Sequence, residues 1–371
     1  MKLVHIVPSL ETRHGGPSQS VRRLANHLAE AGDSVELLAT TEPGDTAAPS
    51  PADRATIRIF PRITPRSLSR SPELHRHLLA TPFDCIHQHS LWLLPLRYAA
   101  EAARRQESPL VISPRGMMSG WAWRHRRGRK WLAELLVHPG AFRQAAGWHA
   151  TSAEEAADIR ALGFRQPVCV SPNGVTLPGE AELSAARTVW HQVCPATQSR
   201  PVALFYSRLH RKKRVRELID LWSSAPRGDW LLLIVGTAED YTAAGLAVGV
   251  SENVAVFDGA GRPPPYAVAS LFVLPSHSEN FGLVIAESLA TGVPALVTDT
   301  TPWSGLAGHA AGWCVPWEKY GTALATAIAT GPQELQTMGR HGREWMERDF
   351  SWGKAASLLH QFYEHLCNVR A

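Results

Sequence analysis

Short runs of β-branched and aliphatic residues alternate with longer stretches whose apolar positions recur every three or four residues, from the first residues to about residue 300. This pattern predicts parallel strands joined by helices and covered on both faces, an α/β architecture. Leu3 to Val7 predicts a strand, GGPSQS a turn, Val21 to Ala31 a helix closed by Gly32, and Val35 to Ala39 the return to the sheet. Thr56 to Phe60 and the segments DCIHQH, PLVIS, GWHAT and PVCVSPNG extend the series. After a polar, strand-poor stretch from Thr176 to Arg200, which is where the domain joint is expected, strands recur at Val202 to Tyr206, Trp230 to Val235, Val254 to Phe257, Leu271 to Pro275 and Pro294 to Thr298.

Length fits two such domains, since 371 residues exceed what one core commonly organises. With 44% hydrophobic and 19% charged residues the chain is neither disordered nor fibrous. The five cysteines are scattered, without the close pairs of a zinc site or disulfide framework, so a reducing, cytoplasmic setting is expected. The start, MKLVHIVPSL, reads as a core strand, and no run reaches the roughly 18 apolar residues of a membrane span. A net charge of +5 permits anionic partners without naming one, and nucleic acid is not expected.

Ligands of open parallel sheets bind in the loops at the carboxyl ends of the strands, so motifs in those positions carry the chemistry. The strongest is SHSENFGLVIAESLATGVPALVTDTTPW, residues 276–303, which follows the apolar LFVLP and opens a helix at about Gly282. Its helix start offers the backbone N–H groups of Asn280, Phe281, Gly282 and Leu283 as unpaired donors, a site suited to a diphosphate. Glu279 stands just before the helix and Glu287 within an otherwise apolar part of it. Sugar hydroxyls would satisfy both carboxylates. Read singly, Glu279 is a charge favoured by the helix dipole and Glu287 a half-exposed helix residue.

In SRLHRKKRVRELIDLW, residues 207–222, Arg208 and Lys213 flank a strand-to-helix turn and could converge on a phosphate pair. Arg211, Lys212, Arg214 and Arg216 read as a solvated face. Gly15 and Gly16 let backbone approach a ligand closely, although a tight turn accounts for them as well. His87 and His89 stand two apart at a strand end; one is read as structural, and the later one, His89, as nearer the site. Around residues 121–136, Trp121, Trp123 and Trp131 accompany Arg124, Arg126, Arg127, Arg129 and Lys130. Two readings stay open: tryptophans packed inside with cations in water, Gly128 interrupting the helix, or rings and cations seated in the headgroup layer of an anionic membrane.

Taken together these segments resemble the retaining nucleotide-sugar glycosyltransferases of family 4, which have the two-domain GT-B architecture. The resemblance rests on Glu279 and Glu287 within SENFGLVIAESLATGVP, on Arg208 and Lys213 within SRLHRKK, and on GGPSQSV, HQHSLW, SPRGMM, HATSAEEAADIRALG, SPNGV and FSW. It implies two Rossmann-like domains facing each other across a cleft: an acceptor-side domain of residues 1–177 joined by a C-terminal helix, 353–371, and a donor-binding domain of 178–352. It implies that Arg208 and Lys213 hold the donor diphosphate, that Glu287 binds the ribose, and that Glu279 contacts the donor sugar with the amides of Asn280 to Leu283. Gly15 and Gly16 would approach the phosphate, His89 would line the sugar site, and the base would stack near Val256 to Gly259.

The activity implied is transfer of a hexose or related sugar, with retention, from a UDP- or GDP-sugar to a saccharide or lipid-linked saccharide. It needs no cofactor and no metal, and it fits surface-polysaccharide or glycoconjugate assembly by a cytoplasmic protein peripheral on the inner face of the membrane. The alternatives are a nucleotide-sugar epimerase of the same architecture or a catalytically silent sugar-nucleotide-binding subunit. Arg214, standing where the family commonly has Gly, departs from the pattern, as do Thr176 and Ser270.

Overall fold

The structure, a computed structural model, describes residues 1–11, 16–120, 123 and 127–369. The chain divides into two compact units, Met1–Gly174 with Trp352–Ala371, and Val175–Ser351.

The first unit is built on a seven-stranded sheet: β1 (Lys2–Val7), β2 (Ser34–Thr41), β3 (Thr56–Pro61), β4 (Cys85–His89), β5 (Leu110–Ser113), β6 (Gly147–Ala150) and β7 (Val168–Val170). Every pairing is parallel and the order is β3-β2-β1-β4-β5-β6-β7. Its helices are α1 (Gly16–Glu30), α2 (Pro72–Ala80), α3 (Leu94–Gln106), α4 (Arg127–Leu136), α5 (Ala141–Gln144) and α6 (Ala153–Ala161). Parallel strands with helices on both faces bury both sides, which is why β4 and β5 are buried at every position.

The second unit begins with α7 (Glu180–Val193), so the polar stretch expected to be a joint is largely helix. Glu180 and Glu182 lie in its first turn, and Ala186 and Trp190, four apart, are its buried residues. The strands are β8 (Val202–Tyr206), β9 (Leu231–Gly236), β10 (Val254–Asp258), β11 (Leu271–Leu274), β12 (Ala295–Thr298) and β13 (Gly312–Val315). They form a six-stranded parallel sheet in the order β10-β9-β8-β11-β12-β13. Its further helices are α8 (Val215–Ser223), α9 (Ala243–Leu246), α10 (Leu283–Ala290), α11 (Trp317–Ala329) and α12 (Pro332–Asp349).

A last helix, α13 (Trp352–Asn368), returns to the first unit, where Trp352, Leu359, Tyr363 and Leu366 join a core with Val21, Leu24 and Leu28 of α1. A Cβ on Gly174 would lie 2.4 Å from the ring of Trp352, so only glycine fits beneath that indole. No helix among the described residues is long and apolar enough to cross a membrane.

Candidate active site

In each sheet the strand order reverses direction once, between β1 and β4 and between β8 and β11. Loops at the carboxyl ends of such neighbouring strands open a crevice, the usual ligand position of doubly wound folds.

In the second unit the loop after β8 carries Arg208 and, in a single 3-10 turn, Arg211–Lys213; the loop after β11 carries Glu279. The two loops are joined by backbone: the His277 N–H donates to the Lys212 carbonyl at 2.8 Å, and the Ser276 hydroxyl donates to the same oxygen at 3.3 Å. That brings Lys213 and Glu279 together as a hydrogen-bonded ion pair whose side chains are only 9% and 10% exposed. Burial works to raise the Glu279 carboxyl, but the Lys213 charge and hydrogen bond outweigh it and hold the group below its ordinary range. Arg208, half exposed, instead points one nitrogen at both carboxylate oxygens of Glu239, each 2.8 Å away.

Gly282 caps α10 in the left-handed region at φ 77°, with no side-chain cap. A Cβ there would sit 2.9 Å from Ile285 and 3.4 Å from the Trp303 indole nitrogen. The Trp303 N–H donates to the Phe281 carbonyl and fixes the turn from below. The amides of Phe281, Gly282 and Leu283 donate to no group among the described residues, leaving the donors that a helix start provides to an anion. Further along α10, Glu287 accepts a hydrogen bond from the Tyr266 hydroxyl at 2.9 Å. Tyr266 is itself buried against Tyr206 at 5.4 Å. Arg214 stands at φ 52°, a conformation glycine adopts freely, and its guanidinium stacks 4.4 Å over Trp317 and binds His277.

In the first unit Gly15 lies outside the described residues, and Gly16 opens α1 with open space around it. His89 has surroundings unlike those expected of a sugar-lining residue. It is fully buried, its Nε2 meets His5 Nδ1 at 3.0 Å, and its Nδ1 accepts from Arg115 Nη2 at 3.1 Å. Both ring nitrogens are therefore engaged within the protein. His87 lies beside it, stacked at 4.0 Å, bound to the Tyr363 hydroxyl at 2.6 Å and to Ser113 at 2.7 Å. Ser113 also meets His149 Nδ1 at 2.7 Å, and His149 Nε2 faces the Ser171 carbonyl at 2.9 Å.

Burial keeps all four imidazoles neutral, His5 and His149 at about 3 and His87 and His89 well below the ordinary value. The carbonyl of Ser171 can only accept, so His149 carries its proton on Nε2. The chain of donors then runs from Tyr363 to His87, from His87 to Ser113 and from Ser113 to His149. The ligand atoms of His5, His87 and His89 lie within 4.8 Å of one another, but the nitrogens are mostly engaged and the Arg115 cation adjoins them. That chemistry opposes a second cation. Arg115, Glu239, Tyr266 and Tyr363 were not singled out from the sequence; a histidine within each of β1, β4 and β6 was the available signal.

Two family models match the chain. A glycosyl transferase 4-like domain covers residues 15–174, and a domain of glycosyl transferases group 1 covers residues 186–344. The chain belongs to the family 4 glycosyltransferases of GT-B architecture. It is 28% identical over 318 residues to a GDP-mannose-dependent alpha-mannosyltransferase of Mycolicibacterium smegmatis, covering 81% of this chain and 80% of that one. It is 24% identical to a GDP-mannose:cellobiosyl-diphosphopolyprenol alpha-mannosyltransferase of Xanthomonas campestris, over 83% of this chain and 81% of the other. In fold it is similar to Anabaena HepE in complex with UDP and glucose, with TM-score 0.73, 19% identity, and coverage of 99% of this chain and 100% of that one. Sucrose-phosphate synthase from Thermosynechococcus elongatus gives TM-score 0.74 at 21% identity, with both chains covered fully.

Proposed function

We propose that this glycosyltransferase moves a hexose or related sugar, with retention of anomeric configuration, from a UDP- or GDP-sugar to a saccharide or lipid-linked saccharide acceptor. The observation that carries the donor assignment is the joining of Lys213 and Glu279 beside the free amides of Phe281 to Leu283, at the strand-order reversal of the second sheet.

Lys213 and Glu279 satisfy each other. A donor diphosphate would draw Lys213 and Arg208 onto its oxygens and rest on the helix-start amides, freeing Glu279 to accept hydroxyl hydrogen bonds from the sugar. Glu287 would receive the ribose hydroxyls. As the glycosidic bond breaks, negative charge grows on the leaving phosphate, so the cations and amides bind the transition state more strongly than the ground state. For retention, the acceptor oxygen attacks the face from which the diphosphate leaves, and a leaving phosphate oxygen takes its proton. No protein nucleophile or metal is assigned.

Acceptor presentation at an anionic membrane is the accompanying reading. On α4, Trp131, Leu132, Leu135 and Leu136 are all exposed and lie within two turns of one helix, while Lys130 reaches over the Trp92 ring at 5.5 Å. Trp123 packs inward against Trp92 at 5.4 Å. The residues Trp121, Arg124 and Arg126 lie outside the described residues, and Gly128 sits in the first turn of α4 without interrupting it.

Donor choice is tested by thermal unfolding with UDP-, GDP-, ADP- and dTDP-sugars. One nucleotide is expected to raise the Tm by about 5 °C or more at a hundredfold excess over Kd. The product of transfer from that donor is then examined for anomeric configuration by NMR. No shift with any nucleotide sugar would overturn the donor assignment, and an inverted product would overturn retention.

A further inference from the structure

Arg115 follows β5 by two residues and is buried at the carboxyl end of the first sheet. Its guanidinium donates to the His89 ring nitrogen from Nη2 at 3.1 Å and Nε at 3.4 Å, and to the Asn173 side-chain oxygen from Nη1 at 2.7 Å. Both acceptors are neutral. The near carboxylate, Glu155, is occupied elsewhere: one oxygen accepts the Gly116 N–H at 2.6 Å, the other the Thr151 N–H at 2.8 Å and hydroxyl at 2.9 Å. Buried cations are ordinarily paired with an anion, and among the described residues this one is not paired directly with any. A guanidinium has five N–H donors in a planar fork, more than these three contacts use.

The surrounding backbone is strained to hold it there. Arg115 itself stands at φ 53°, and on the loop after the neighbouring β4, Ser90 stands at φ 75° and Trp92 at φ 68°. Left-handed non-glycine residues persist only where their surroundings over-determine them, and such outliers cluster where ligands are gripped. The histidines supply that determination. With Nδ1 accepting from Arg115, His89 must carry its proton on Nε2 and donate it to His5 Nδ1, which leaves His5 Nε2 buried without a partner among the described residues. Among the described residues the Glu155 charge acts on Arg115 only through space, and the direct contacts of the guanidinium, all to neutral acceptors, fix the direction of the fork.

We propose that Arg115 binds a phosphate group of a substrate, and that His89 is its positioning residue. Two substrates could bring that group: the nucleotide-sugar donor, or an acceptor carried on a prenyl diphosphate. The inference rests on the glycosyl-transfer reading for the identity of the phosphate, while the site itself rests on the geometry of the first unit.

Titration calorimetry on the full-length chain distinguishes the sources, with UDP and GDP as donor probes and geranyl diphosphate as the acceptor probe. Arg115→Met is expected to weaken binding of one probe class at least tenfold, and Arg115→Lys, which keeps the charge but loses the fork, by several-fold. Both are expected to unfold within a few degrees of wild type. His89→Leu should weaken the same probe, and His89→Asn, which restores an acceptor near the Nδ1 position, should recover part of that loss. Loss confined to nucleotides assigns the donor phosphate, and loss confined to geranyl diphosphate the acceptor phosphate. Unchanged affinity for all three probes in Arg115→Met overturns the proposal, as does failure of both Arg115 variants to fold, which would make the residue structural. A wild-type chain that binds none of the probes overturns this proposal and the nucleotide-sugar reading together.

Discussion

Lys213 and Arg208 were paired by sequence position, yet their settings make their substitutions behave differently. Arg208 is half exposed and its contact with Glu239 is worth at most about 1 kcal/mol, so Arg208→Ala should leave stability nearly unchanged. If Arg208 stabilises the leaving diphosphate, the same change should lower kcat on the order of a hundredfold. Lys213→Ala strands a buried Glu279 charge and should cost about 3 kcal/mol of stability as well as rate. Adding Glu279→Gln to Lys213→Ala removes the stranded charge. The double variant should recover most of the stability and none of the rate, as read by urea denaturation beside a transfer assay. Recovery of both would mean that the pair is a folding feature and not a substrate clamp.

At the scale of elements, legibility followed burial. Strands such as β8, β9 and β11 are apolar runs buried on both faces and stood out from the composition of a few residues. The four-residue β13, opening with Gly312 and holding one cysteine, offers too little pattern to be read as a strand. α7 was hidden because its buried face has only Ala186 and Trp190 among charged neighbours. The turn at Gly282 was legible because a glycine before an apolar helix has a local cause. Arg115 was not, since its contacts come from the ends of β4 and β7, strands that the sheet order brings to either side of β5 with β6 between β5 and β7, an arrangement no local pattern contains.

The exposed face of α4 is an element-scale feature with an element-scale test. A surface Trp with three leucines, each about half exposed, would gain about 1 kcal/mol per side chain on leaving water, and a neighbouring cation such as Lys130 favours anionic headgroups. Replacing Trp131 and Leu135 by Ser should lower co-sedimentation with anionic vesicles at least tenfold and leave nucleotide binding unchanged. Equal binding of both proteins to neutral and anionic vesicles would remove the membrane from the reading.

Among the described residues the buried histidines all lie in the first unit, and this gives the molecule's stability a direction with pH. His5, His87, His89 and His149 are held neutral in the folded chain, with His5 and His149 titrating at about 3, against roughly 6.5 when unfolded. As pH falls through 6.5 the unfolded chain takes up protons that the folded chain refuses, so the unfolded state gains and stability falls. Each such histidine removes about 1 kcal/mol between pH 7 and pH 5.5, and the loss continues until the folded group itself protonates. Depressed carboxylates do not contribute in that window: Asp53, held at about 2 by its Arg22 hydrogen bond, begins to cost stability only as pH approaches the ordinary aspartate range, near 4. Four histidines together predict a drop in apparent Tm on the order of 10 °C between pH 7 and pH 5.5 by scanning calorimetry. Tyr363, on the returning helix α13, donates into this same network through His87, so acid should loosen the attachment of α13 along with the strand ends. Hydrogen exchange within α13 should therefore quicken over the same interval while exchange in β8, β9 and β11 of the second unit stays slow. A Tm that is flat from pH 7 to pH 5.5 would show that these imidazoles do not titrate as buried neutral groups.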